Sequence, residues 1–192
     1  MPYFDPKPKT NRSDLYDREE ELNELIRLIK ISPLILILGL RRTGKTSLLY
    51  TALNEIKIPN IIIDSRELPY NKIISPNDFT ELLIRNLNKF LKSRRKIANK
   101  FINLIKNIES INIMGLSIKF KRNKAASTLI DLLNSLNKLA EEENFKLIIA
   151  FDEAQELRRI TALRLDKLFA YIYDNLKKYY INPNWLPNRI TI

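Results

Sequence analysis

The sequence contains no cysteine and no histidine among its 192 residues. The absence of cysteine excludes disulfide bonds, thiolate catalysis and cysteine-based zinc sites. The absence of histidine removes the commonest metal ligand and the commonest general base near neutral pH. Any catalysis by this chain must therefore use carboxylates, lysine, arginine, hydroxyl groups and bound ions.

Long hydrophobic runs are also absent. The longest apolar stretch, residues 33–40, is far shorter than the roughly 20 residues that a membrane-spanning helix needs. The polar, proline-rich start of the chain lacks the apolar core of a signal peptide. Because 45% of the residues are hydrophobic, the composition is that of a globular domain. We expect a cytoplasmic protein with one domain and no membrane partner.

Negative charge is scarce in one part of the chain. Between Lys89 and Lys124 there are eleven Lys or Arg residues and one acid, Glu109, whereas the rest of the chain has 22 basic and 21 acidic residues. A concentrated basic segment attracts nucleic acid or another polyanion. A solvated helix face followed by a charged hairpin is the alternative interpretation.

Apolar runs and helical periodicities alternate along the first part of the chain. The patterns predict an extended leader over residues 1–13, a helix over 18–31, a strand over 34–38, a helix over 45–57 and a strand over 60–64. Asp17 and Glu20 have the spacing of a capping box at the start of the first helix. Strand, helix and strand in this order indicate a parallel sheet.

The second part of the chain continues this pattern after a basic insertion at about 89–124. Ser75 and Pro76 predict the start of a helix that continues through the basic residues to about 105. Alternating side chains predict a β-hairpin within 111–121. A helix over 125–143, a strand over 146–151 and a helix over 156–176 follow. We therefore predict an α/β fold, with a parallel sheet flanked by helices and a small β-hairpin insertion.

Glycine is rare, and two of the three glycines fall in one loop, residues 39–46, with the sequence GLRRTGKT. The loop matches the Walker A pattern G-x-x-x-x-G-K-[ST] and lies between a predicted strand and a predicted helix, where backbone N–H groups face a phosphate. Lys45 is predicted to bridge the β- and γ-phosphates, and the Thr46 hydroxyl to bind Mg²⁺. A chance match in a turn is the alternative, which the concentration of glycine in this loop disfavours.

The predicted phosphate-binding set comprises the loop and the start of the helix: Gly39, Leu40, Arg41, Arg42, Thr43, Gly44, Lys45, Thr46 and Ser47. Arg41 and Arg42 could contact the nucleotide or a partner, or could simply be solvated. Ser47 could supplement Thr46 on the metal, but an ordinary polar residue in the first helical turn is the simpler interpretation.

The predicted strand over 146–151 is followed by two consecutive carboxylates, Asp152 and Glu153. This arrangement resembles a Walker B motif, in which Asp152 would hold Mg²⁺ and Glu153 would polarise the attacking water. Acidic residues also favour helix N-termini, so a helix cap is the alternative. The loop at 39–46 favours the catalytic interpretation, because phosphoryl transfer needs both parts of the site.

With this adjacent acidic pair, the chain resembles the division of P-loop ATPases that has an extra catalytic glutamate and includes the AAA+ and STAND proteins. More narrowly, LYDREEEL at 15–22, GLRRTGKTSLL at 39–49 and FDEAQEL at 151–157 are similar to the archaeal ATPase family of that division. The resemblance covers most of residues 12–175 and implies ATP and Mg²⁺ as ligands. It also implies that Leu15, Tyr16 and Arg18 lie near the adenine, although an N-terminal capping segment explains them equally well.

The chain departs from the family pattern after residue 176. The resemblance implies a further strand with a polar sensor residue, a fifth strand, a helical lid and a sheet of order 5-1-4-3-2. We expect only a strand remnant at 179–181 within an atypical tail over 177–192, and therefore an incomplete sheet. A truncated or frameshifted product of a longer ATPase gene explains this more simply than a compact family member. We identify no sensor residue and no arginine finger in the sequence.

Three functions remain open at this point. The chain could be an ATPase whose nucleotide state switches a partner or a nucleic acid. It could be a nucleotide-binding fragment without turnover. It could also be a nucleic-acid-binding module that uses residues 89–124. The preference for ATP over GTP rests on the resemblance, because no residue pattern here indicates guanine recognition.

Overall fold

The computed structural model describes residues 7–32, 34–40, 42–70, 73–114, 117–120, 125–160, 163–175, 179–182 and 189–191. Its helices are α1 (Glu19–Ile31), α2 (Lys45–Ile56), α3 (Pro76–Lys92), α4 (Arg95–Ile105), α5 (Ala125–Glu142) and α6 (Leu165–Asn175). Its strands are β1 (Leu36–Leu38), β2 (Asn60–Asp64), β3 (Ile111–Met114), β4 (Ser117–Phe120), β5 (Leu147–Asp152), β6 (Tyr179–Asn182) and β7 (Arg189–Thr191). No described helix has both the length and the apolar character needed to cross a membrane.

The main sheet is parallel, as the sequence predicts. Strands β2, β5 and β6 form one ladder in that order, and β1 pairs with β7 in a second ladder. The register between β2 and β5 places Asp64 opposite Asp152. Strands β3 and β4 form the predicted antiparallel hairpin, whose Ile118 backbone N–H donates to the Asn88 side chain on α3 at 2.9 Å. The α/β fold with a parallel sheet and a hairpin insertion is therefore confirmed.

The strand remnant predicted at 179–181 lies within β6, whereas β7 was not predicted from the sequence. Strand β6 pairs with β5 on the side away from β2, and β7 pairs with β1. Both ladders agree with the order 5-1-4-3-2 that the resemblance implies. The sequence pattern was hard to detect because β6 and β7 have only four and three residues. A proline-containing stretch that reads as a turn also separates the two strands.

Helix boundaries differ from the sequence prediction at the first helix. Helix α1 begins at Glu19, with Arg18 at the N-cap and no side-chain cap hydrogen bond. The predicted capping box of Asp17 and Glu20 is therefore wrong. Asp17 has a positive φ of 51°, so the chain turns sharply one residue earlier. The Arg18 guanidinium instead donates to Glu21 at 2.6 Å.

Two helices that the periodicity predicts as continuous are interrupted. The helix expected over 75–105 divides into α3 and α4, because the Ser93 hydroxyl donates to the Phe90 carbonyl at 2.8 Å and the Arg94 guanidinium lies over the Phe90 ring. The helix expected over 156–176 is replaced by a 3₁₀ turn at Ala154–Arg159 and by α6. Between them, Ile160 forms a parallel bridge with Ile74.

The core lies on both faces of β5, all six residues of which are buried. Leu147, Ile149 and Phe151 pack into a cluster with α3, α4, α5 and α6. Ile148 and Ala150 face the opposite side and pack with α1, α2 and β1. Side chains alternate between the two faces of a strand. A central strand that is covered by helices on both faces therefore needs an apolar run such as residues 147–151.

Candidate functional site

The described parallel strands carry the predicted site residues at their carboxyl ends. The loop over 39–44 follows β1, Asp64 ends β2 and Asp152 ends β5. A cavity of about 770 Å³ lies at this edge. Ligands of open α/β sheets generally bind in the crevice at the carboxyl ends of the strands, so the location alone makes this cavity the candidate site.

The loop before α2 depends on one glycine for its conformation. Gly44 is the N-cap of α2 and has a φ of +84°, a region that L side chains rarely adopt. A Cβ placed on Gly44 would meet no atom within 4 Å, so the backbone angle rather than space explains the glycine. The Thr43 hydroxyl donates to the Leu40 carbonyl at 2.9 Å and closes the turn.

Lys45 lies across this loop. Its ammonium donates to the carbonyls of Gly39, at 3.0 Å, and Leu40, at 2.5 Å. The first turn of α2 contains no acidic residue, and its N-cap residue, Gly44, makes no side-chain cap hydrogen bond. The positive end of the helix and the Lys45 charge are therefore available together to an anion.

Thr46 and Asp152 meet although 106 residues separate them in sequence. The Thr46 hydroxyl lies 3.0 Å from Asp152 Oδ1 and 3.2 Å from Oδ2. Asp152 is only 8% exposed, and this burial raises the pKa of its carboxyl, while hydrogen bonds from Thr46 and from the Glu153 backbone N–H oppose the rise. Both side chains present oxygen atoms, which Mg²⁺ prefers as ligands.

Glu153 directly follows Asp152 but makes different contacts. It has a φ of 51° and precedes the 3₁₀ turn without making a side-chain cap hydrogen bond. Its carboxylate lines the cavity and accepts a hydrogen bond from the Gln155 side chain. The helix-cap alternative therefore does not describe the side chains of this acidic pair.

Asp64 and Arg66 also belong to this edge, and the sequence analysis did not identify them. The Asp64 carboxylate accepts from the Arg66 backbone N–H at 2.9 Å, from Nε at 2.9 Å and from Nη2 at 2.7 Å. The Arg66 hydrogen bond holds the pKa of Asp64 below its ordinary value. The signal that could have identified Asp64 and Arg66 is an acidic residue at the end of β2, the strand that pairs with β5.

The leader contributes to the cavity. Lys7, Pro8 and Lys9 line it, and the Lys9 backbone N–H donates to the Ser47 hydroxyl at 3.0 Å. About two helical turns further along α2, the Asn54 side chain donates to the Thr10 carbonyl at 3.1 Å. Ser47 therefore positions the leader, a role that the sequence alone did not suggest.

Several predicted site residues lie elsewhere. Leu15, Tyr16 and Arg18, expected near the adenine, do not line the cavity, and Tyr16 is 91% exposed. Leu40 is also largely exposed. Arg42 lines the cavity in a left-handed conformation, with a φ of 66°, whereas Arg41 lies outside the described residues.

The charge of the cavity favours a polyanion. Its lining includes six cations and two acids: Lys7, Lys9, Arg42, Lys45, Arg66 and Arg158 against Asp152 and Glu153. Within the described ranges no three acidic residues cluster into a metal cage. A Mg²⁺ ion that is held largely by phosphates and water needs only one or two protein oxygen ligands, which Thr46 and Asp152 can provide.

Comparison with known proteins agrees with this geometry. Residues 15–182 match the model of an ATPase domain found predominantly in Archaea. The structure is similar to the Walker-type ATPase PABY2304 of Pyrococcus abyssi, with 31% sequence identity and a TM-score of 0.68 over 99% of this chain. The chain spans 57% of the length of that protein. No functionally curated protein sequence is a significant match.

A second relative shares the fold alone. The Aeropyrum pernix ORC2 protein, solved as ADPNP–ADP complexes, has a TM-score of 0.59 and 11% identity, and its ADP form has 0.55 and 14%. Each comparison covers 99% of this chain, and 50% and 51% of those chains respectively. The strand order and the loop between β1 and α2 thus lie within a fold that recurs at low sequence identity.

Proposed function

This chain belongs to the archaeal P-loop ATPase family, and from that premise we propose that it binds Mg-ATP in the cavity at the sheet edge and hydrolyses it. The hydrogen bond between Thr46 and Asp152 is the observation that carries the proposal. It joins the start of α2 to the end of β5, so the phosphate-binding loop and the acidic pair form one site. A chance loop motif would have no reason to meet a buried carboxylate there.

Each side chain has a defined role in this proposal. The loop N–H groups and the Lys45 ammonium bind the β- and γ-phosphates, for which Lys45 exchanges its bonds to the loop carbonyls. Thr46 and Asp152 hold Mg²⁺, which neutralises charge on the phosphates. Glu153 is half-buried at the cavity wall and orients the water that attacks the terminal phosphorus. Water would attack the terminal phosphorus as the bond from phosphorus to the bridging oxygen of ADP breaks, which gives ADP and inorganic phosphate, and Glu153 would take up the proton of the water.

Nucleotide binding is tested by comparing Lys45→Ala with Lys92→Ala. Lys92 is exposed on α3 and does not line the cavity, so it controls for the change in net charge. A charged hydrogen bond contributes about 1.5–3 kcal/mol, so Lys45→Ala should weaken Mg-ATP binding about 10- to 100-fold in titration calorimetry. Equal affinities for the two variants would contradict the site assignment.

Hydrolysis is tested separately with Glu153→Gln. This variant should retain Mg-ATP affinity within about threefold, because Glu153 contacts water rather than nucleotide, and should lose phosphate release by a factor of about 100 or more. An unaltered protein that binds ATP but releases no phosphate would instead support a non-hydrolysing nucleotide-binding domain. Phosphate release that survives in Glu153→Gln would remove Glu153 from the mechanism.

A second candidate function is polyanion binding by α4, and one observation favours it. The exposed face of this helix and its C-terminal turn contains only basic residues and asparagine: Arg95, Lys96, Asn99, Lys100, Asn103, Lys106 and Asn107. Lys100 pairs with Glu143. Arg95 and Lys96 stand in the first turn of α4, where helix polarity disfavours cations. An anion bound there would relieve that repulsion.

The two candidates are separated by measuring DNA and RNA binding at several salt concentrations. Arg95→Gln with Lys96→Gln should weaken binding and reduce the salt slope by up to about 2, because each phosphate contact contributes about 0.9 to the slope. Arg164→Gln with Lys167→Gln is the matched control, because Arg164 just before α6 and Lys167 within it are both exposed. Arg94 is unsuitable because it packs over Phe90. Salt-independent binding would contradict the proposal.

A further inference from the structure

Arg66 lies at the end of β2, in a 3₁₀ turn over Ser65–Glu67. The neighbouring strand β5 ends in Asp152, whose Cα is paired with that of Asp64. Arg66 therefore follows the strand next to the acidic pair and lines the same cavity as Lys45 and Glu153. Neither the motif analysis nor the roles proposed above use this cation.

The guanidinium of Arg66 is fixed before any ligand arrives. Nε and Nη2 bind the two carboxylate oxygens of Asp64 in a fork, at 2.9 and 2.7 Å. Asp64 also accepts the Arg66 backbone N–H, so the same carboxylate sets both the turn and the side chain. This fork uses two of the five guanidinium N–H donors. Nη1 has no hydrogen-bond partner in the described part of the chain.

A fixed guanidinium suits phosphate recognition. Its planar donors match phosphate oxygens, and a side chain that is already immobilised loses little conformational entropy on binding. Arg158 lines the same cavity and is exposed like Arg66, but no partner for it is found among the described residues. Of these two cations, Arg66 is therefore the one whose guanidinium is already oriented before a phosphate binds.

The position along the cavity indicates which phosphate Arg66 faces. The leader approaches the cavity at Ser47, whereas Asp64 and Arg66 stand beside Asp152 and Glu153. The proposed Mg²⁺ ligands and the proposed water-orienting carboxylate mark the end where the terminal phosphate reacts. The hydrogen bond that Arg66 donates to Asp64 raises the pKa of the guanidinium, with smaller contributions from the charges of Asp152 and Glu153, so the group keeps its charge there.

We propose that Arg66, positioned by Asp64, binds the terminal phosphate of ATP and makes the site distinguish ATP from ADP. This inference rests on the proposed function above and adds to it a cation supplied by the chain itself. During hydrolysis the same guanidinium would stabilise the negative charge on the transferred phosphoryl oxygens. Asp64 acts as a positioning residue, because it contacts Arg66 rather than the nucleotide.

The test measures Kd for a non-hydrolysable ATP analogue and for ADP, each with Mg²⁺, in four proteins: the unaltered chain, Arg66→Ala, Asp64→Asn and Arg158→Ala. We expect Arg66→Ala to raise the Kd of the analogue 10- to 100-fold and the Kd of ADP less than about threefold. Asp64→Asn should show the same selectivity at a smaller magnitude. Arg158→Ala makes the same charge change in the same cavity and should affect both nucleotides alike.

Each outcome decides the assignment. Equal weakening of both nucleotides in Arg66→Ala, or no weakening, would overturn the role of Arg66 while leaving nucleotide binding intact. Failure of the unaltered chain to bind either nucleotide would overturn the proposed function and this inference with it. Thermal unfolding of each variant, together with retained ADP affinity, shows whether a loss of analogue binding reflects the site or the fold.

Discussion

The hydroxyl of Thr46 donates a hydrogen bond to the buried carboxylate of Asp152, 3.0 Å away and 106 residues distant in sequence. This contact spans two elements that the sequence identifies separately, the loop before α2 and the end of β5. Parallel strands bring their carboxyl ends to one edge, so the contact follows from the order of the strands. It also means that a change at either residue affects both halves of the site.

Asp152→Asn should separate stability from function. Burial raises the pKa of Asp152, so we expect its charged carboxylate to be held at a free-energy cost when no cation is near. We expect the amide to leave the metal-free protein at least as stable in urea unfolding at pH 7. Mg²⁺-dependent nucleotide affinity should fall at least tenfold, because an amide is a weaker and uncharged ligand. A clearly destabilised Asp152→Asn variant would contradict this account.

Much of the fold could be predicted because its central strands contain continuous apolar runs. Strand β5 is buried on both faces, so its run of hydrophobic residues stands out. The hairpin was predicted from its alternating side chains, and α5 from the helical spacing of its apolar residues. The sequence indicated only a remnant of β6 and no strand at β7, since short strands beside prolines lack a periodic signal. The break at Ser93 involves a local hydrogen bond to the Phe90 carbonyl, and the break near Ile160 involves a long-range bridge to Ile74; hydrophobic periodicity contains neither contact.

Within the candidate site, motif residues were predictable and supporting residues were not. Lys45, Thr46 and Asp152 lie in patterns whose chemistry is known. Arg66 became visible only through its fork with Asp64 and the register between β2 and β5. The role of Ser47 required the path of the leader along α2. Contacts of this kind depend on which elements are neighbours in the fold, and a sequence motif contains no information about those neighbours.

The pair of Asp64 and Arg66 should give a measurable pH dependence. Arg66 lowers the pKa of Asp64 below its ordinary value of 3.8, so the pair adds stability above that pH. This contribution is lost as the pH falls through the lowered folded-state pKa. The difference in unfolding free energy between the unaltered chain and Arg66→Ala should therefore be constant between about pH 5 and 8 and shrink at lower pH.

Carboxyl NMR provides a direct check on the same pair. The Asp64 midpoint should lie below 3.8 in the unaltered chain and should rise in Arg66→Ala, where burial is no longer opposed by the guanidinium. Arg85→Ala is the matched control, because Arg85 on α3 forms an exposed ion pair with Glu67 of the 3₁₀ turn and does not line the cavity. An Asp64 midpoint that does not respond to Arg66→Ala would contradict the fork.

The effect of a substitution at Gly44 should depend on how readily the new residue adopts the backbone angle there, rather than on the size of its side chain. Gly44→Ala places a Cβ in open space but forces an L residue to a φ of +84°, which costs about 1–2 kcal/mol. Gly44→Asn should cost less, since asparagine adopts left-handed angles more readily. Urea unfolding of both variants measures the difference. Asparagine destabilising the fold more than alanine would show that space, not φ, limits this position.

The capping box at the start of α3 should contribute to stability. The Ser75 hydroxyl accepts from the Asp78 backbone N–H at 3.2 Å, while the Asp78 carboxylate accepts from the Ser75 N–H at 2.9 Å. Ser75→Ala removes the first of these bonds and should cost about 1 kcal/mol. Ser135→Ala is the control, because that hydroxyl only bonds the Asp131 carbonyl within α5. Equal unfolding midpoints for the two variants would contradict the capping role.

Adjacent hydroxyls at the start of α2 should have different functions. Thr46 contacts Asp152, whereas Ser47 accepts the Lys9 backbone N–H at 3.0 Å. We expect Thr46→Ala to weaken Mg²⁺-dependent nucleotide binding about tenfold, because it removes a metal ligand. Ser47→Ala should change that affinity less and instead release the leader, since its lost hydrogen bond is worth about 1 kcal/mol.

Hydrogen exchange separates these two effects. The Lys9 amide should exchange faster in Ser47→Ala, by about fivefold if its protection depends on that one bond, and should be unchanged in Thr46→Ala. The Asn54 contact with Thr10 lies further along α2, so Asn54→Ala should loosen the leader without touching the phosphate loop. If Asn54→Ala then lowers nucleotide affinity, the leader itself contributes to the site through Lys7 or Lys9. If it does not, the leader only covers the outer surface of α2, and Ser47 is a structural residue.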